Sequence, residues 1–293
     1  MVQKKFIEYI SFEKRYSHHT VKAYTKDLSQ FSNFLNEQYG ISDLTSAGHQ
    51  QIRSWMVHLM ETGLSERSVL RKLSTLKSFY KYLHRNQVID HNPTLIVIAP
   101  KIPSRNPEFV GEEKMQNLFE QIDFGNDYIS VRDKMILEVF YGTGIRLSEL
   151  IDLQTYDVSL EDCTMKVLGK RNKERIIPFT QKMGKQLSAY LEMKEDQGFN
   201  AEGALFVTKK GKKLYPRLVY RIVNKYLSMV TTLTKRSPHV LRHTFATHML
   251  NKGADLNAIK EFLGHANLAA TQVYTHNTVD KLKKIYRQAH PRA

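Results

Sequence analysis

The 293 residues contain a single cysteine, Cys163. A lone thiol excludes an intramolecular disulfide framework and suits a reducing interior. Long apolar runs are missing too. The longest, Leu95-Ile-Val-Ile-Ala99, is far below the roughly 20 residues a helix needs to cross a bilayer. The amino terminus, Met1-Val-Gln-Lys-Lys-Phe6, turns polar at once and lacks the apolar stretch of a secretion signal. A soluble cytoplasmic protein is expected. Acidic residues are scarce beside basic ones, 29 Asp and Glu against 44 Lys and Arg, for a net charge of +15. That imbalance is unusual for an enzyme acting on small molecules and points to a polyanionic partner, most commonly nucleic acid. The excess is spread: residues 1–100 hold 13 basic and 8 acidic side chains, the remainder 31 and 21. Internal repeats and low-complexity tails are also absent.

Apolar residues make up 41% of the chain, enough for real cores. In residues 1–92 they recur at helical steps. Ser17 can cap a helix carrying Val21, Tyr24, Leu28, Phe31 and Leu35 on one face, closed by Gly40. Ile52, Trp55, Met56 and Leu59 mark a second helix that ends at Gly63, and Val69, Leu73, Leu76, Tyr80 and Leu83 mark a third starting at Ser65. The expected product is a small four-helix bundle. Prolines then crowd together: Pro93, Pro100, Pro103 and Pro107 account for four of the eight in the chain. Such density predicts an extended linker over residues 93–108, with the domain boundary near residue 103. Residues 109–293 read as mainly helical, with patterns over about 111–122, 130–141, 146–153, 181–195, 216–230 and 238–252, and again after 254. Between them Thr164–Leu168 and Arg175–Phe179 flank a polar turn, which predicts a β-hairpin, and Leu205–Thr208 is the expected third strand.

Six side chains in this second part carry the chemistry: Arg146, Lys170, His239, Arg242, His265 and Tyr274. No carboxylate cluster for a metal and no Gly-rich nucleotide loop accompanies them. Two arginines, a lysine and two histidines can surround a phosphodiester with charge and proton donors, and a tyrosine hydroxyl can attack its phosphorus. Taken singly, each is ordinary. Ser237-Pro238-His239-Val-Leu-Arg242 reads as a capped helix start with His and Arg on one face, where free N–H groups attract phosphate. A surface His–Arg pair fits it as well. Arg146 follows the Gly142-Thr-Gly144 turn and opens a helix. A two-pronged phosphate contact suits it, and so does a plain ion pair with Glu149 or Glu138. Lys170 sits at the hairpin tip, where simple solvation is the common fate. Tyr274 is one of fifteen tyrosines, singled out by Leu263-Gly-His265 before it and Thr275-His276 after it.

Together, in this order and spacing, the residues are far more specific. Residues 109–293 resemble the catalytic domain of the tyrosine recombinases, and residues 1–92 resemble that family's helical, SAM-like core-binding domain. The Arg…Lys…His-x-x-Arg…His…Tyr order is complete, and the Leu241-Arg-His-Thr-Phe-Ala-Thr-His-Met-Leu250 and LGH…YTH segments fit it. The tail Gln288-Ala-His-Pro-Arg-Ala293 and the lack of an arm-binding domain make the chain most similar to the Xer branch. Arg171 departs from that pattern, since glycine usually follows the lysine there.

The resemblance implies a mainly α fold: a four-helix bundle followed by an α-rich catalytic domain with a small three-stranded antiparallel sheet. It implies that Tyr274 attacks a DNA phosphodiester and becomes joined to the 3′ phosphate, with no metal, nucleotide or other cofactor. Arg146 and Arg242 would neutralise nonbridging oxygens, and His265 would hydrogen-bond one of them. His239 would assist deprotonation of the tyrosine and Lys170 would protonate the leaving 5′ oxygen. The implied partners are duplex DNA with paired inverted half-sites, a homo- or hetero-tetramer with a paralogous recombinase, and an FtsK-type DNA translocase. Residues 279–293 would dock on a neighbouring protomer through Leu282, Ile285 and Tyr286. A mobile-element integrase or DNA invertase shares the same site, and a type IB topoisomerase shares its chemistry, so these stay open.

Overall fold

In a computed structural model describing residues 2–101, 108–169, 174–199, 203–264 and 276–292, the first amphipathic patterns all become helices. The chain forms two compact units, Met1–Arg105 and Asn106–Ala293, each with its own core. In the first unit, α1 (Val2–Glu8) runs into a π-helical turn, and α2 spans His18–Tyr39, α3 His49–Glu61 and α4 Glu66–Arg85. Ser17 caps α2 by accepting from the Thr20 N–H, and Gly40 ends it in the left-handed conformation. Phe6, Leu28, Phe31, Trp55, Leu76 and Phe79 fill the core. Through this core runs one charged tie. Asp27, 1% exposed, accepts bonds from Arg71, Lys72 and Thr75 and so locks α2 to α4. Burial raises the Asp27 pKa, but the bonds from Arg71 and Lys72 outweigh it and leave it lowered.

The second unit is built around α6 (Tyr128–Thr143), which is buried on nearly every side. Around it lie α5 (Glu112–Glu120), α7 (Leu147–Asp152), α8 (Gln181–Asp196), α9 (Pro216–Val230), α10 (Pro238–Asn251), α11 (Leu256–Leu263) and α12 (His276–Ala289). One antiparallel sheet, in the order β1-β2-β3, joins Val158–Ser159, Thr164–Leu168 and Glu174–Pro178, with Met165 opposite Ile177 and Val167 opposite Arg175. The third strand is therefore Val158–Ser159, and the expectation for Leu205–Thr208 is corrected. Leu205, Phe206 and Val207 are buried in the core, and the segment makes only isolated bridges, Ala204 with Gln154 and Val207 with Lys213. A short apolar run serves a buried loop as well as a strand, and periodicity does not separate the two. At the carboxyl end, Leu282 and Tyr286 of α12 are buried in this unit's own core. His290 donates through Nε2 to the Tyr141 carbonyl at 3.2 Å, and Arg292 pairs with Glu138 at 3.0 Å. No helix among the described residues is long and apolar enough to cross a membrane.

Candidate active site

The site begins where α6 ends. Gly144 caps that helix at φ +60°, and a Cβ there would lie 2.5 Å from the Phe245 ring. Only glycine fits both demands. The tight turn delivers Arg146 to the start of α7, where Glu149 returns to accept the Arg146 backbone N–H at 2.8 Å. That is the reciprocal half of a capping box. The Arg146 guanidinium donates to Glu149 Oε1 at 2.6 Å and to the Gly264 carbonyl at 3.1 Å. Its side chain keeps a quarter of its surface exposed. Arg146 thus does form the Glu149 ion pair, and it still faces solvent with unused donors.

On α10, Ser237 caps the helix by accepting from the Val240 N–H, and Pro238 occupies the first turn. His239 is exposed in that turn. Arg242, one turn further on and 7% exposed, donates to the Gly144 and Leu263 carbonyls, both at 2.6 Å. Burial first, and then the charge of Arg146, lower the Arg242 pKa to about 9, which still leaves it protonated at neutral pH. The two arginines therefore converge on one turn and on neighbouring carbonyls, although 96 positions separate them in sequence. Lys170, His265 and Tyr274, like Arg171, lie outside the described residues.

Two further side chains belong here that the motif reading passed over, Arg175 altogether and Glu149 except as an ion-pair partner. Arg175, 4% exposed on β3, holds Glu149 with both prongs at 3.0 and 2.7 Å, and its Nε donates to the Phe262 carbonyl at 2.9 Å. Burial raises the Glu149 pKa, but the bond and charge of Arg175, with the two bonds from Arg146, hold it down at about 2. A signal for Arg175 existed. It shares a strand face with Ile177, two residues on, so an arginine stands in phase with the buried side of the hairpin.

The phage integrase family model matches residues 108–281, and that family's N-terminal SAM-like domain matches residues 4–87. The tyrosine recombinase XerC of Chlorobaculum tepidum is 37% identical, over 99% of this chain and 94% of its own length. That of Bacillus pumilus is 40% identical, over 98% and 95%. The chain belongs to the phage integrase family. Within it, it is a tyrosine recombinase of the Xer type, a DNA strand-exchange enzyme. The fold agrees with solved structures of low identity. The Tn1549 transposon integrase in complex with circular intermediate DNA superposes with a TM-score of 0.70 at 18% identity, covering 96% of this chain and 98% of that one. The XerH recombinase bound to palindromic difH in a post-cleavage complex gives 0.69 at 20%, covering 97% and 93%.

Proposed function

We propose that this recombinase cuts and rejoins duplex DNA through Tyr274. The phenolic oxygen attacks the scissile phosphorus as the bond from phosphorus to the 5′ oxygen breaks. The strand's 3′ phosphate is left on the tyrosine and a 5′ hydroxyl is released. His239 takes the phenol proton and Lys170 supplies one to the leaving oxygen. A phenol of pKa near ~10 is mostly protonated at neutral pH, so it needs both a base and adjacent cations. Arg146 and Arg242 offset charge on the nonbridging oxygens, with His265 hydrogen-bonded to one of them. A 5′ hydroxyl from a second strand then reverses the step and restores the tyrosine, so the phosphodiester bond energy is conserved.

The observation that carries this reading is the convergence of Arg146 and Arg242 on one turn, beside the exposed His239 at a helix start. Free N–H groups and two guanidinium groups make that corner a phosphate site. The wider biology proposed is resolution of joined chromosomes at cell division. There a tetramer, alone or with a paralogue, works on paired inverted half-sites under an FtsK-type translocase, and residues 279–293 move from their own unit to a neighbouring protomer. Nicked duplexes from the host replication-terminus region, incubated with EDTA and no ATP, test the chemistry. Wild type should form a covalent adduct and Tyr274→Phe none. An adduct that persists in Tyr274→Phe sinks the assignment. An adduct only on the ends of a neighbouring mobile element moves the biology to integration or inversion.

A further inference from the structure

Three consecutive carbonyls, the last two of α11 and that of its capping Gly264, are each taken by a different arginine. Arg175 from β3 binds Phe262, Arg242 from α10 binds Leu263, and Arg146 at the start of α7 binds Gly264. Carbonyls at a helix end have no partner within the helix, and the negative pole of the dipole lies there. Arg146 keeps a quarter of its side chain exposed, and Arg242 spends only its two Nη atoms on carbonyls. At 4% exposure, the Arg175 guanidinium is consumed by Glu149 and Phe262.

We infer that Arg175 is a positioning residue, which sets the reach of Arg146 by holding Glu149 and the end of α11 in one rigid frame. This rests on the strand-exchange reading above. Glu149 is the balance point. Its Oε1 accepts from both Arg175 and Arg146, and its Oε2 from Arg175 and the Arg146 backbone. With Arg175 present, the carboxylate is shared and Arg146 is gripped on one side only. Without it, the full carboxylate charge turns to Arg146 and draws the guanidinium off the phosphate. A second observation is independent of these bonds. Gly264 sits at φ +61°, and a Cβ there would meet the Arg175 Cδ and Nη1, each at 3.2 Å. The arginine thus lies flat on the turn that leads directly into His265. In sequence, Arg175 also stands five residues after Lys170. One buried side chain therefore ties the strand leaving the hairpin to the arginine corner and to the end of α11.

The test uses the full chain and the nicked duplex that traps wild type. Arg175→Gln should slow single-turnover adduct formation by about a hundredfold, the cost of a small misplacement at a reacting centre. Duplex affinity should stay within about twofold, the signature of an interaction made in the transition state alone. Arg175→Lys should recover part of the rate, because one ammonium cannot hold both carboxylate oxygens and a carbonyl. The double variant Glu149→Gln with Arg175→Met removes the stranded buried carboxylate and should regain thermal stability and part of the rate, while the end of α11 stays unheld. Adduct formation by Arg175→Gln at the wild-type rate, or a double variant no faster than Arg175→Gln, overturns the positioning role alone. If wild type forms no adduct on any DNA, the strand-exchange reading falls and the positioning role falls with it.

Discussion

Glu149 shows what one carboxylate does when two arginines share it. Its pKa is held at about 2, below the usual carboxylate value, because the bonds from Arg175 and Arg146 outweigh the burial that would raise it. A depressed folded pKa means stability that is fully present above the unfolded value near ~4.3 and is lost as pH falls toward 2. The contribution is about 3 kcal/mol. Glu149→Gln should flatten the acid limb of stability between about pH 4.5 and 2, as read by urea unfolding at a series of pH values. An unchanged acid limb contradicts the shared-carboxylate account. Arg146 and Arg242 are each expected to be irreplaceable by lysine, since a point charge lacks the two-pronged geometry. Arg242→Lys should lower the cleavage rate by roughly a hundredfold with duplex binding retained, about 3 kcal/mol of transition-state stabilisation. At this scale the sequence offered candidates for the chemistry and said little about their support. Arg146, His239 and Arg242 could be named from type, order and spacing. The charge pair beneath them was not named, because binary patterning marks apolar faces and gives no weight to a buried arginine paired with a glutamate 26 positions away.

At the level of elements, turns decide where the site residues stand. Gly144 and Gly40 both end helices in the left-handed region, at φ +60° and +65°. Their surroundings differ. A Cβ at Gly40 meets nothing within 4 Å, whereas at Gly144 it meets Phe245 at 2.5 Å and Leu263 at 3.0 Å. Gly40→Ala should therefore cost only the backbone term, about 1 kcal/mol. Gly144→Ala adds overpacking of a further 1–3 kcal/mol or so and pushes the turn that carries Arg146. Thermal melting separates the two, and only the second should slow cleavage. Equal destabilisation by both contradicts this account of the turn. The helices were legible because steps of three and four, Ser caps and terminal glycines all agree. The exchange of Leu205–Thr208 for Val158–Ser159 as the third strand has a plain cause. A two-residue strand carries no periodicity to read, while a fully buried loop looks like a strand.

For the molecule as a whole, charge sets the terms of binding. A net +15, spread over the whole sequence, should make duplex affinity fall steeply with salt. A log–log slope of about −5 is expected, as for roughly six neutralised phosphates. A slope near zero would contradict binding through phosphates. Composition made this legible at once, whereas the packing of α12 was not. Leu282 and Tyr286, expected from sequence to dock on a neighbour, are buried in their own unit here, because an amphipathic helix fits any complementary apolar groove. The central claim is that Tyr274 carries the DNA. The most direct measurement is digestion of the trapped adduct followed by mass spectrometry of the nucleotide-bearing peptide. The account predicts the segment from Glu261 to Lys281 with the nucleotide on Tyr274. A nucleotide on any other side chain, or none on this peptide, contradicts it.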